Sequence, residues 1–217
     1  MVALGFFTVA HWRYFTGYLG FCAKNRCMDL LLAAKTHNQR AVQQKWNHFC
    51  DPTLAFSQPR YSKLLEIWRA KAGSRAMPSR SELTARDLKD FLRDIVLFRR
   101  ESSNPSRYTW RLIGTGLTDV LGHHTGKSFE DSVPAEHLVR WIETCDLILE
   151  GQQPMRVRGR VHIRGREYLD AENLYFPLAD DNGEPNFVMA LCRYTPHTSD
   201  DENNWENELA SIPGGLL

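Results

Sequence analysis

Between Met155 and Arg164 the chain alternates without a break. Met155, Val157, Gly159, Val161 and Ile163 fall on one side, and Arg156, Arg158, Arg160, His162 and Arg164 on the other. A period of two marks an extended strand, because successive side chains leave the pleat on opposite faces. One strand cannot stand alone: its backbone needs neighbours and its apolar side needs a layer to cover it. The chain must therefore build a sheet that carries five basic-type side chains in one row. The row is either an anion- or partner-binding stripe on an outer face, or a face neutralised by acids on neighbouring strands. Neutralisation is the preferred reading.

The next strand, Glu167–Leu178, makes that choice testable. A two-residue turn at Arg164-Gly165 would point Asp170 and Glu172 toward the apolar side, where unpaired carboxylates are costly. A three-residue turn with a bulge at Gly165 would instead set them beside Arg158 and Arg160 and turn Leu169 and Ala171 inward. The bulged register is expected, because it neutralises both rows.

Periodicity supplies the other elements. Residues 28–49 read as a helix, with Val42, Trp46 and Phe49 at helical spacing and Asp51-Pro52 as a stop. Tyr61, Leu64, Leu65, Trp68 and Ala72 share one face of a second helix that ends at Gly73. A further helix is expected from Thr84, where Asp87 completes a capping-box pattern and Leu88, Phe91 and Leu92 pack inward. Residues 94–99 and 107–113 read as strands, and a loop with short helical turns follows. A long helix runs from Pro134 to Gly151, and Phe187–Tyr194 is the last strand. Two strands, a helical crossover and three sequential strands make an α+β domain. Its expected sheet is five-stranded and antiparallel, of order 2-1-5-4-3, with helices on one face and helices N-terminal to it.

Charge excludes a bulk polyanion binder, since 27 Lys+Arg face 26 Asp+Glu. The near-neutral total is a sum of unlike parts: +4 over residues 1–59, +2 over 60–197 and −5 over 198–217. This suggests an N-terminal extension, a body at 60–197 and an acidic flexible tail. The five scattered cysteines form neither a disulfide framework nor a zinc knuckle and read as free thiols, which points to a cytoplasmic location. Residues 1–23 are apolar and aromatic, but Arg13 sits mid-span and no basic region precedes it. Membrane association of this segment is the lesser reading.

Several stretches together resemble a known family. They are Ile67-Trp68-Arg69, RAMPSRSEL from Arg75, YTWRLIGTGL from Tyr108, GHHTGK from Gly122, Gly165-Arg166-Glu167, and FPLADDNG from Phe176. In this order they resemble the compact stand-alone PAS proteins of alphaproteobacteria, over roughly residues 60–195. The resemblance implies a sensory or regulatory module and no enzyme, with no catalytic residues carried over. It acts as a signalling adaptor through small-molecule sensing, protein contact, or both, and the partners it implies are a protein and a second copy of the chain.

The resemblance also frames the candidate sites. An apolar cup lined by Trp110, Leu112, Leu121, Phe129, Trp141 and Ile142 is the expected ligand pocket, with His137 at its edge. In haem-binding relatives a histidine of this helix ligates iron, so His137 is a candidate axial ligand. The preferred reading is an ordinary, partly exposed histidine. The Asn-Cys-Arg motif of flavin photosensors is absent, the cofactor is unknown, and no metal site is expected at His123-His124. The interaction-surface candidates are Arg156, Arg158, Arg160, His162 and Arg164. With the basic extension they carry the alternative reading of a nucleic-acid-associated regulator.

Overall fold

The computed structural model describes residues 24–56, 58–163, 165–197 and 207, with only the backbone given for 24–29. The expectations for residues 1–23, for the acidic tail and for the Arg164 side chain lie outside the described residues.

Ten elements follow in order: α1 (Lys24–Gln44), β1 (His48–Asp51), α2 (Pro59–Ala72), β2 (Ile95–Ser103), β3 (Ser106–Ile113), α3 (Thr118–Leu121), α4 (Ala135–Gly151), β4 (Met155–Arg160), β5 (Leu169–Ala179) and β6 (Pro185–Pro196). All strand pairs are antiparallel. The sheet has six strands, not five, and runs β1-β4-β5-β6-β2-β3, so it departs from the expected order by one added edge strand, while β2 to β6 keep the expected neighbours. The unexpected member is β1, at the edge beside β4.

Helix α1 ends before the anticipated residue 49 because Lys45 and Asn47 adopt positive φ (55° and 44°). The chain there leaves the helical path and enters β1. Trp46 and Phe49 are buried while Val42 is 54% exposed, so the three do not share a helical face. Asn38 of α1 caps the outer edge of β1: its Nδ2 donates to the Cys50 carbonyl at 2.9 Å and its Oδ1 accepts from the Cys50 N–H at 2.8 Å. A single buried amide thus satisfies backbone groups that an open sheet edge would leave to water.

Helices cover both faces of the sheet, not one. In β2, Val96 and Phe98 face the layer formed by α4 and α1, whereas Ile95 and Leu97 face the layer of α2. On that second face Tyr61, Leu64, Leu65 and Trp68 of α2 pack with Leu174, Phe176, Leu178, Met189 and Leu191. The Trp68 indole N–H also donates to the Pro177 carbonyl at 3.0 Å. The physical reason lies in β5 and β6, where residues 173–179 and 188–192 are buried without alternation. A strand covered on both sides has no polar face to show. The helix expected from Thr84 is a run of turns. Its capping contacts nonetheless form, with the Thr84 hydroxyl donating to Asp87 at 2.7 Å, and Leu88 and Phe91 are buried.

Candidate functional site

The aromatic cup lies between the sheet and α4. Trp110, Leu121 and Phe129 are buried, and half-buried Trp141 and Ile142 pack against them. The rings are in direct contact, with centroids 4.9 Å apart for Phe98–Trp110, 5.4 Å for Trp110–Trp141 and 5.6 Å for Phe129–Trp141. The first and third are edge-to-face and the second is tilted; contacts of this length are themselves stabilising and occupy the space between the rings. The Trp110 indole N–H donates to Ser132 Oγ at 2.9 Å, which fixes its orientation.

Leu112 does not belong to this group. Leu97 pairs with Leu112 but Phe98 pairs with Trp110, so Arg111 is an extra residue in β3. That bulge turns Leu112 to the opposite face, where it packs with the α2 layer. His137 is half-buried and its ring lies 5.4 Å from that of His162. Burial, with Arg140 beside it, holds its pKa below the ordinary histidine value.

The basic row keeps its neutralising register. Arg158 pairs with Glu172 and Arg160 with Asp170, the pairing that a turn centred on Gly165 requires. The hairpin end, however, opens into a loop: β4 stops at Arg160 and β5 starts at Leu169. The interaction-surface assignment needs correction at Arg156, which is 2% exposed. Its Nε donates to Glu172 at 2.8 Å and its Nη1 to Asp51 at 3.2 Å. Asp51, fully buried on β1, also accepts from the Thr53 N–H at 2.8 Å and the Thr53 hydroxyl at 2.6 Å. Arg160 lies 3.6 Å from Asp170, which also meets His197 at 2.9 Å. His162 is half-buried and faces α4 through His137. The row is therefore not a free cationic stripe, and its first member ties β1 to β4 and β5.

A second polar group lies where α1 and β1 meet α4. Arg140 of α4 is 5% exposed, and its Nη1 donates to the Trp46 carbonyl at 2.9 Å. Its Nε is buried with no partner, and burial lowers its pKa to about 10. Thr144 donates its hydroxyl to the Arg140 carbonyl at 2.8 Å and so accepts from His48 Nε2 at 2.9 Å, which assigns the His48 tautomer. Burial, then Arg140, holds His48 well below the usual histidine pKa. The same two causes, in the same order, bring His162 to about 4. His37, 6.3 Å from the His48 ring, is also lowered to about 4, by burial and then by Arg40.

Sequence reasoning missed Asp51, His48, Asn38 and Arg140. A signal for Arg140 was available: it lies four residues before Thr144 and eight before Ile148, on the buried stripe of α4. Among the described residues no cluster of three or more His, Cys, Asp or Glu could hold a metal ion. Cys50, Cys145 and Cys192 are free and buried, and no described helix is long and apolar enough to cross a membrane.

Comparison with known proteins gives one family. The family model described as "PAS domain" matches residues 57–192, more than half of the chain. Among solved structures the chain is similar to the sensory box histidine kinase/response regulator of Burkholderia thailandensis E264. The likeness is 13% identity with a TM-score of 0.36, covering 58% of this chain and 95% of that one. No curated protein matches it.

Proposed function

The chain belongs to the PAS domain family, and from that premise we propose that this sensory or regulatory module signals by contact with a protein, a second copy of itself included. The observation that carries this reading is the helix α1. It lies outside the matched family region, is pinned to the sheet edge through Asn38, and leaves Leu32 and Val42 exposed at 65% and 54%. Val139, on α4 against which α1 packs, is 47% exposed as well. Apolar side chains on a firmly held helix suit a partner helix or a second protomer. The contacting rings of the cup favour protein contact over a large ligand between sheet and α4.

The nucleic-acid reading lacks comparable support, since Arg156 is buried between two carboxylates and Arg160 faces Asp170. The haem reading lacks it too, because the ring contact of His137 is with His162. Light scattering on the full chain tests the proposal. The wild type is expected to self-associate with rising concentration or to retain a co-purifying host protein, and the double variant Leu32→Asp/Val42→Asp to lose that behaviour while keeping its melting temperature. A wild type that stays monomeric and partnerless, or a double variant that associates as the wild type does, would overturn it.

A further inference from the structure

Three of the four described non-glycine residues with positive φ, namely Lys45, Asn47 and Leu54, flank β1. Leu54, at φ 58°, lies in the hinge between β1 and α2, and the left-handed conformation is unfavourable for a leucine. The hinge turns twice within a few residues. The Asp51 carboxylate accepts from the Thr53 N–H at 2.8 Å, and the Phe56 N–H donates to the Leu54 carbonyl at 2.9 Å. Phe56 rests on Tyr61 of α2, with ring centroids 5.3 Å apart, so the hinge can open at residues 52–55 without moving α2. A short, strained hinge between two packed parts invites their exchange between copies, because opening relieves the strain and the other contacts re-form.

We propose that two copies of the chain exchange residues 24–51, driven by the strained hinge, so that α1 and β1 of each complete the sheet of the other. The contacts across the junction select this occupant. Arg156 meets Asp51 at 3.2 Å, Thr144 meets His48 at 2.9 Å, and Glu143 pairs with Arg40 at 2.8 Å. Gly159 leaves room for the Asn47 carbonyl, which accepts from the Arg160 N–H at 2.9 Å. Each contact joins a residue before the hinge to one after it, so each can be made between copies. A foreign strand laid on the β4 edge would strand the buried Arg156 without the Asp51 carboxylate, a costly loss. The exchange rests on the protein-contact reading and deepens it. Contact through exposed Leu32 and Val42 brings two copies together, and exchange fixes them as a pair.

Arg40→Lys keeps the ion pair with Glu143, whose two side chains are 53% and 28% exposed, and a zero-length carbodiimide then joins the amine at position 40 to the Glu143 carboxylate. Full-length chains carrying it, grown in light- and heavy-nitrogen media, are mixed at a concentration where light scattering shows association. They are incubated until the pattern is constant, separated by size and cross-linked. Peptides linking positions 40 and 143 are expected to be of mixed isotope in the associated fraction and of single isotope in the monomer. Inserting Gly-Ser-Gly-Ser between Thr53 and Leu54 relieves the hinge and should lower the mixed-isotope fraction at least about fivefold. Associated chains whose links are all of single isotope overturn the exchange and leave the protein-contact reading standing. Mixed links undiminished by the insertion overturn an exchange driven by the hinge. A chain that never associates overturns the exchange as well, and the contact reading then rests on a retained host protein.

Discussion

Arg156 shows what a charge does when its surroundings are fixed from three strands. It is 2% exposed, between fully buried Asp51 on β1 and Glu172 on β5. Such a cluster adds little over a well-packed apolar replacement of the whole group, but removing one member strands the others without a counter-charge. Arg156→Met is therefore expected to lower unfolding free energy by about 3–5 kcal/mol, read by urea denaturation. Adding Asp51→Asn and Glu172→Gln should recover part of that loss, since the neutral amides no longer demand a cation. A single-variant loss below about 1 kcal/mol would mean the cluster is solvated and that Arg156 does not hold β1 in place. The same geometry explains why alternation alone misjudges the row. Period two says correctly that Arg156, Arg158 and Arg160 share a face of β4, and it says nothing of the acid that β1 brings to that face.

Among the elements, β1 depends most on others for its existence. Four residues, HFCD, carry too little pattern to identify a strand, and β1 forms because β4 offers an edge and Asn38 seals the far side. Close approach to β4 requires Gly159: a Cβ there would lie 2.1 Å from the Asn47 carbonyl oxygen and 2.9 Å from His48 Cα. Both are backbone atoms, so no rotamer change relieves the clash. Gly159→Val should cost about 1–3 kcal/mol. In hydrogen exchange the amides of residues 48–51 should lose protection while those of residues 188–192 in β6 keep theirs. Equal protection at 48–51 in both proteins would show that β1 does not need that approach. The contrast with β2 through β6 marks where sequence is legible. Strand β4 and helices α2 and α4 repeat their apolar residues along a single local face, and β2, β5 and β6 are short apolar runs bounded by turns, so local pattern finds them. The side of the sheet to which Leu112 points depends on one extra residue, Arg111, and period counting passes over a bulge. The burial of Arg140 was legible only through its spacing from Thr144 and Ile148; what covers it, α1 and β1, was not. The helices on both faces were legible in principle, since the apolar runs of β5 and β6 do not alternate.

At the scale of the whole molecule, the extension and the body meet through histidines, and this makes stability depend on pH. His37 of α1, His48 of β1 and His162 after β4 are held neutral by burial. Arg40 acts further on His37, and Arg140 on His48 and His162. Further ionisable groups around them are Glu136, His137 and Glu143 on α4, Arg160 on β4 and Tyr175 on β5. The two values near 4, for His37 and His162, lie below the ordinary histidine value of 6.5. Between those limits the unfolded chain binds protons that the folded chain refuses, so unfolding takes up protons and acid favours it. Stability that is full above pH 6.5 should therefore decline as the pH falls toward 4. Denaturation midpoints measured from pH 7.5 to 4.5, in a buffer free of carboxylates, should fall steadily, and more steeply than carboxylate protonation alone allows. His37→Gln and His162→Gln should each flatten the slope, because glutamine fills the site without titrating. Because these histidines sit at the junction, the first region to lose amide protection on acidification should be residues 24–51, ahead of β5 and β6. A flat profile over this range, or an acid transition that opens β6 together with α1, would show that the histidines do not bear the proton linkage.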